Sequence, residues 1–250
     1  MESLEERNHV DEYDRLVTLV ERLDPGSTPQ VSWVYRAAEP IVECGKRLGV
    51  FSASFNPITV AHVKMIEEAQ ARFGLEEILL LLAKANVDKG VFGLSLEERL
   101  IMLKAYAMTC KDFSVVACSH GRYVDKIEAL KAVLPSDTQL SFIVGYDTLV
   151  RIFDPKYYTD LHTELRQLFQ GCRFIAANRA EHNLHSVKEF LLQPICQPYA
   201  GYIDLIELPD FYAEVSSTEI RTRILRGENI DHLVPRAVQG YLKTTRAYQP

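Results

Sequence analysis

The chain has 250 residues, 47% of them apolar and 25% charged, which is enough to bury the core of one large α/β domain. A formal net charge of −6 excludes a protein that coats nucleic acid or an anionic membrane, because both tasks need an excess of Lys and Arg. The five cysteines, Cys44, Cys110, Cys118, Cys172 and Cys196, are odd in number, widely spread and form no CxxC pair, so they read as reduced, buried residues of an intracellular protein. The N-terminal stretch MESLEERNHVDEYDRL is acidic where a secretory signal would be basic and then apolar, and no apolar run approaches the ~20 residues that span a bilayer. A soluble, cytosolic protein is expected, with the nucleus left open.

Over residues 1–47 a helix pattern through Leu16, Val20 and Leu23 stops at the turn-rich DPGSTP. This segment reads as a helical or irregular extension, packed on the main domain or partly mobile, with the domain itself at 48–250. From Leu48 onward, apolar runs at 48–54, 77–83, 113–118, 140–145, 172–177 and 203–208 alternate with helix patterns at 60–73, 96–109, 123–134, 147–153, 184–192 and 217–226. The run from Ile78 to Ala83 has no polar alternation, as in a strand buried on both faces. Ser95 and Glu98 have capping-box spacing, and Gly74 closes the 60–73 helix. The alternation predicts an α/β fold, a Rossmann-like doubly wound parallel sheet with helices on both faces.

In such a sheet, ligands bind beyond the carboxyl ends of the strands. The stretch SASFNPITVAHVKMIEEA follows the first predicted strand of the domain with a small-residue turn and then a helix, which Thr59 caps. His62 falls at the third helical position and leans back toward the N-terminus. Free N–H groups and the helix dipole there attract a phosphate, and an imidazole can donate to a phosphoryl oxygen. Near the C-terminus, EVSSTEIRTRILRG opens another helix with Ser216 and Glu219 in capping-box spacing. Ser217, Thr218 and Arg221 there offer hydroxyls and a guanidinium suited to the outer phosphates of a triphosphate. For each stretch alone, an ordinary capped helix is the competing reading.

The first stretch resembles the nucleotidylyltransferase signature G-x-F-D/N-P-x-H/T-x-x-H, and SFNPIT with His62 two residues on is most similar to eukaryotic-type nicotinamide mononucleotide adenylyltransferases, which carry Thr at the place of Thr59. The second resembles I-S-S-T-x-I-R with Val215 in place of Ile, and HLVPRAVQGYL resembles that family's closing helix. The resemblance implies AMP transfer from ATP, with Mg²⁺ bound through the phosphates, to nicotinamide or nicotinate mononucleotide. On it, Ser54, Phe55, Asn56, Thr59, His62, Ser216, Ser217, Thr218 and Arg221 are expected to hold ATP, with His62, Arg221 and Lys89 catalytic. Lys84 is the second candidate for a phosphate-contacting lysine, and Ala53, where Gly is usual, is expected to crowd the backbone against the triphosphate.

The turn Gly145–Tyr146–Asp147 matches a G-x-D of the family, so Gly145 and Asp147 are expected at the acceptor together with Arg179. Tyr158 stands in for the stacking aromatic, often Trp, because the single Trp33 lies far from that motif; core packing of Tyr157 and Tyr158 is the alternative. His182 and His185, three apart without a third ligand, read as solvated loop residues, and no protein metal site is expected. Small-molecule nucleotides are the expected partners, nucleic acid and membranes are not, and a homo-oligomer is left open. Two other readings stand beside the first: a related nucleotidylyltransferase or ATP-hydrolysing enzyme with another acceptor, and a nucleotide-binding regulatory protein that has lost transfer.

Overall fold

The structure is a computed structural model and describes residues 4–86, 93–180, 182–245 and 248. Its strands are β1 (Val31–Tyr35), β2 (Arg47–Ser52), β3 (Glu77–Ala83), β4 (Phe113–Cys118), β5 (Gln139–Gly145), β6 (Arg173–Ala177) and β7 (Ile203–Ile206). The helices are α1 (Leu4–Glu21), α2 (Val60–Phe73), α3 (Leu96–Ala107), α4 (Tyr123–Lys131), α5 (Tyr146–Ile152), α6 (Leu161–Gly171), α7 (Leu184–Leu191), α8 (Asp210–Glu214), α9 (Ser217–Leu225) and α10 (Arg236–Thr244). One sheet runs in the order β1-β4-β3-β2-β5-β6-β7, parallel from β4 to β7 and antiparallel only at β1. The chain winds outward from β2 in one direction through β3 and β4, and from β5 in the other through β6 and β7. The crevice between β2 and β5 is therefore the topological switch point, where open α/β sheets bind ligands.

Both faces are covered, as expected for parallel strands. Leu16, Ile66, Leu100, Ile220 and Val238 bring α1, α2, α3, α9 and α10 onto one face. Leu130, Leu149, Leu165 and Val187 bring α4, α5, α6 and α7 onto the other. Every residue of β3 and of β4 is buried, and these two strands have the bounds their apolar runs predict. The Gly74 cap is left-handed, and the Ser95–Glu98 capping box closes in both directions.

The boundary between an extension at 1–47 and a domain at 48–250 does not survive. Val31–Tyr35 forms β1 and pairs with β4, so residues on either side of that boundary share one sheet. Leu16 and Leu23 are fully buried, and α1 packs on α3. Lys84, a candidate phosphate ligand, instead donates to the carbonyls of Val20 and Leu23 at 3.0 and 2.9 Å, at and just past the end of α1. The buried Glu77 accepts from the Ile41 amide at 2.7 Å, and Ser114 Oγ accepts from the Ala37 amide at 2.8 Å. The sequence reading also passed over α6, an amphipathic helix capped by Asp160. The five cysteines are unpaired, but Cys44 is exposed and Cys110 half-buried, so the expectation of uniform burial fails for both.

Candidate active site

The loop from Ala53 to Thr59 leaves β2 at the switch point and enters α2. Thr59 caps α2, accepting the His62 amide at 3.3 Å, while His62 Nδ1 accepts the Thr59 amide at 3.0 Å. A ring nitrogen that accepts a backbone N–H carries no proton, so the hydrogen of this imidazole is assigned to Nε2, which is left as a donor. Burial, reinforced by the charge of Arg179, lowers the His62 pKa to about 3. His62 is therefore a neutral one-proton donor, aimed by the same box that starts the helix.

Three residues expected to hold ATP offer no side chain to solvent. Phe55, Asn56 and Thr59 are 0%, 1% and 0% exposed. Phe55 has a φ of 43°, with its ring edge-on to Phe51. Asn56 Oδ1 accepts the Leu94 amide at 3.2 Å and the Tyr248 hydroxyl at 2.9 Å. These side chains shape the loop, and any nucleotide contact here falls to backbone N–H groups. Ser54 is exposed at the turn, and Ala53 packs its methyl against the core.

The second motif closes onto the first. Ser217 Oγ donates to the Pro57 carbonyl at 2.8 Å across 160 residues of chain, and Arg221 Nη1 donates to the Asn56 carbonyl at 2.7 Å. Arg221 Nη2 donates to Thr218 Oγ1 at 3.2 Å, and the Val60 amide donates to the Leu233 carbonyl at 2.9 Å. The N-termini of α2 and α9 thus form one surface. Ser216 caps α9 through the Glu219 amide at 3.1 Å, but the Glu219 carboxylate pairs with Arg223 instead of completing the box. Because the Ser217 proton is committed to Pro57, that hydroxyl does not also serve as a donor to phosphate. Thr218, which accepts from Arg221, keeps its own proton for a ligand.

Arg99 was passed over by the sequence reading. It is 3% exposed, and its Nε donates to the Leu94 carbonyl at 2.8 Å beneath the same loop. Burial lowers its pKa, with the nearby charge of Arg221 adding to the effect. The signal was present in LEERLIML, where an arginine occupies the buried register of a helix. Gly93 is held at φ +124°, and a Cβ there would lie 2.5 Å from Asn56 Oδ1. Only glycine fits that backbone and that space.

Across the crevice, Gly145 ends β5, Asp147 lies in the first turn of α5, and Arg179 follows β6. Arg179 Nε is 3.5 Å from Asp147 Oδ2, so these expected acceptor residues do come together. The Arg179 charge also reaches His62, where it adds to the effect of burial. The middle residue of the turn, Tyr146, packs against His182 with ring centroids 4.4 Å apart and the rings tilted by 34°, a pair that no local pattern in the sequence announces. Tyr158 has a different place: its hydroxyl donates to the Ile152 carbonyl, and it packs against the core, with a pKa raised to about 12 by burial. That is the packing alternative rather than a free stacking plate. His185 pairs with Glu189 on α7 at 3.3 Å. Lys89 lies outside the described residues. Among the described residues no three His, Cys, Asp or Glu side chains gather as a metal nest, and no helix is long and apolar enough to cross a membrane.

Two helix N-termini joined over a switch point, with a neutral imidazole donor in the first turn of one, suit the handling of phosphates, and the relatives make the chain a nucleotidylyltransferase. The chain belongs to the cytidylyltransferase-like family, whose profile matches residues 50–223. It is 27% identical over 208 residues to a Dehalococcoides mccartyi protein named as a nicotinate-nucleotide adenylyltransferase, covering 81% of this chain and 97% of that one. It is 29% identical over 221 residues to a Schizosaccharomyces pombe protein named as a nicotinamide mononucleotide adenylyltransferase, covering 82% and 87%. The fold is similar to that of Plasmodium falciparum nicotinic acid mononucleotide adenylyltransferase solved with NaAD, with a TM-score of 0.59 and 18% identity over 81% of this chain and 97% of that one.

Proposed function

We propose that this enzyme transfers AMP from ATP to nicotinamide or nicotinate mononucleotide, giving NAD or its deamido counterpart and pyrophosphate. The observation that carries this reading is the hydrogen-bonded junction of Ser217 and Arg221 with Pro57 and Asn56, which brings two helix N-termini suited to anions side by side. The names of the relatives supply the acceptor class.

An acceptor phosphate oxygen attacks the α-phosphorus in line, a new P–O bond forms, and the bond to the β-phosphate oxygen breaks with pyrophosphate leaving. No covalent protein intermediate is required, so the task of the residues is positioning and charge neutralisation. His62 Nε2–H donates to an α-phosphoryl oxygen as its charge grows. Arg221, Thr218 and the α9 amides hold the outer phosphates, and Lys89 is assigned to the same phosphates by its place in the sequence. Gly145, Asp147 and Arg179 orient the mononucleotide. Among the described residues the site gathers no carboxylate cage, and Mg²⁺ would enter with the triphosphate and neutralise its oxygens. Five unpaired cysteines favour a reducing compartment such as the cytosol.

The test is purified protein with Mg²⁺, ATP or CTP, and a panel of mononucleotides, read by pyrophosphate release and product mass. ATP with a pyridine mononucleotide should give a dinucleotide. Pyrophosphate release confined to CTP or to another acceptor would overturn the assignment.

A further inference from the structure

Asn56 joins three segments that lie far apart in the chain. Its carbonyl is held by Arg221, and its Oδ1 accepts from Leu94, just before α3, and from Tyr248, 192 residues away in the chain. Tyr248 is 2% exposed and belongs to the core on the α3 face. The contact leaves no slack: a Cβ on Gly93 would lie 2.7 Å from the Tyr248 ring and 2.5 Å from Asn56 Oδ1. The same end of the chain is fixed a second time by Thr245, whose hydroxyl donates to Glu98 Oε1 at 3.2 Å at the start of α3. Burial raises the Tyr248 pKa, so the phenol remains a donor throughout the working pH range.

We propose that Tyr248 is a positioning residue for the nucleotide loop, orienting Asn56 so that its carbonyl meets Arg221 and the loop amides face the triphosphate. It acts through Asn56 and touches no substrate. The proposal rests on the adenylyl transfer described above. The loop form in which Asn56 turns inward thus draws on a residue 192 positions further along the chain. Tyr248 thereby makes ATP affinity, more than fold stability, depend on the residues that follow α10.

The experiment compares wild type with Tyr248→Phe, which keeps the ring and its packing and removes only the hydroxyl. Calorimetric titration with ATP and steady-state kinetics in each substrate are measured alongside thermal unfolding. Loss of one such hydrogen bond should weaken ATP binding and raise its KM by about 3- to 10-fold. The acceptor KM should stay within experimental scatter and the unfolding midpoint should move little. Combining Tyr248→Phe with Arg221→Lys should cost less than the product of the two single effects, since both act on the orientation of Asn56. Unchanged ATP affinity, equal losses for both substrates, or multiplicative effects would each overturn the proposal. If wild type binds ATP but turns over no pyridine mononucleotide, the acceptor assignment fails while the ATP titration still decides the role of Tyr248.

Discussion

His62 shows how one local arrangement sets a chemical state. Its Nδ1 is occupied by the Thr59 amide, and its pKa of about 3 keeps the ring neutral at any pH where ATP chemistry runs. The His62 ring resonances should therefore not titrate in NMR spectra between about pH 5 and 8, whereas an ordinary histidine turns over near the middle of that range. The sign for stability follows. The unfolded chain takes up a proton near pH 6.5 that the folded ring refuses, so this residue is without effect above that value and destabilises the fold progressively as pH falls below it. On the proposed role of His62 as donor to the α-phosphoryl oxygen, His62→Ala should lower turnover by about 10²–10³ with a much smaller change in acceptor KM. Near wild-type turnover in the variant would take His62 out of the mechanism.

Among the elements, those legible in the sequence were the ones whose signals are local. The uniform apolar run of β3 needs no context, and the register that puts His62 at the third position of α2 follows from Thr59 as cap. What could not be read depends on partners far along the chain. β1 has five residues and lies at the sheet edge, so it carries neither length nor a fully apolar run to mark it. The inward turn of Asn56 is decided by Leu94 and Tyr248, and nothing in FNP announces it. Arg221 lies between the two cases: its place near the phosphate loop was legible from the α9 pattern, its bond to the Asn56 carbonyl was not. The same logic gives α1 a measurable weight. Leu16 is fully buried in the core that α2 and α3 share, so Leu16→Ala should cost about 2–5 kcal/mol in denaturant unfolding, with ATP KM unchanged in the folded fraction. A cost below about 0.5 kcal/mol would mean that α1 is only loosely attached.

For the whole molecule, the absence of a real boundary at residue 47 changes what truncation does. Removing residues 1–47 would strip β1 from β4, a strand buried at every position, and uncover the apolar side of α3. An unpaired apolar strand edge recruits other chains. The truncated protein should therefore collect in the insoluble fraction or elute as aggregates on size-exclusion chromatography, where a separable extension would leave a monodisperse, active domain. The pairing of β1 with β4 also bears on how the polypeptide is made. Synthesis delivers α1 and β1 well before Phe113–Cys118, the strand with which β1 pairs, and before α3, the surface on which α1 rests. Until the ribosome has passed that point, the early segment must wait with Leu16, Val20 and Leu23 uncovered, which is the interval in which this protein would most need a chaperone.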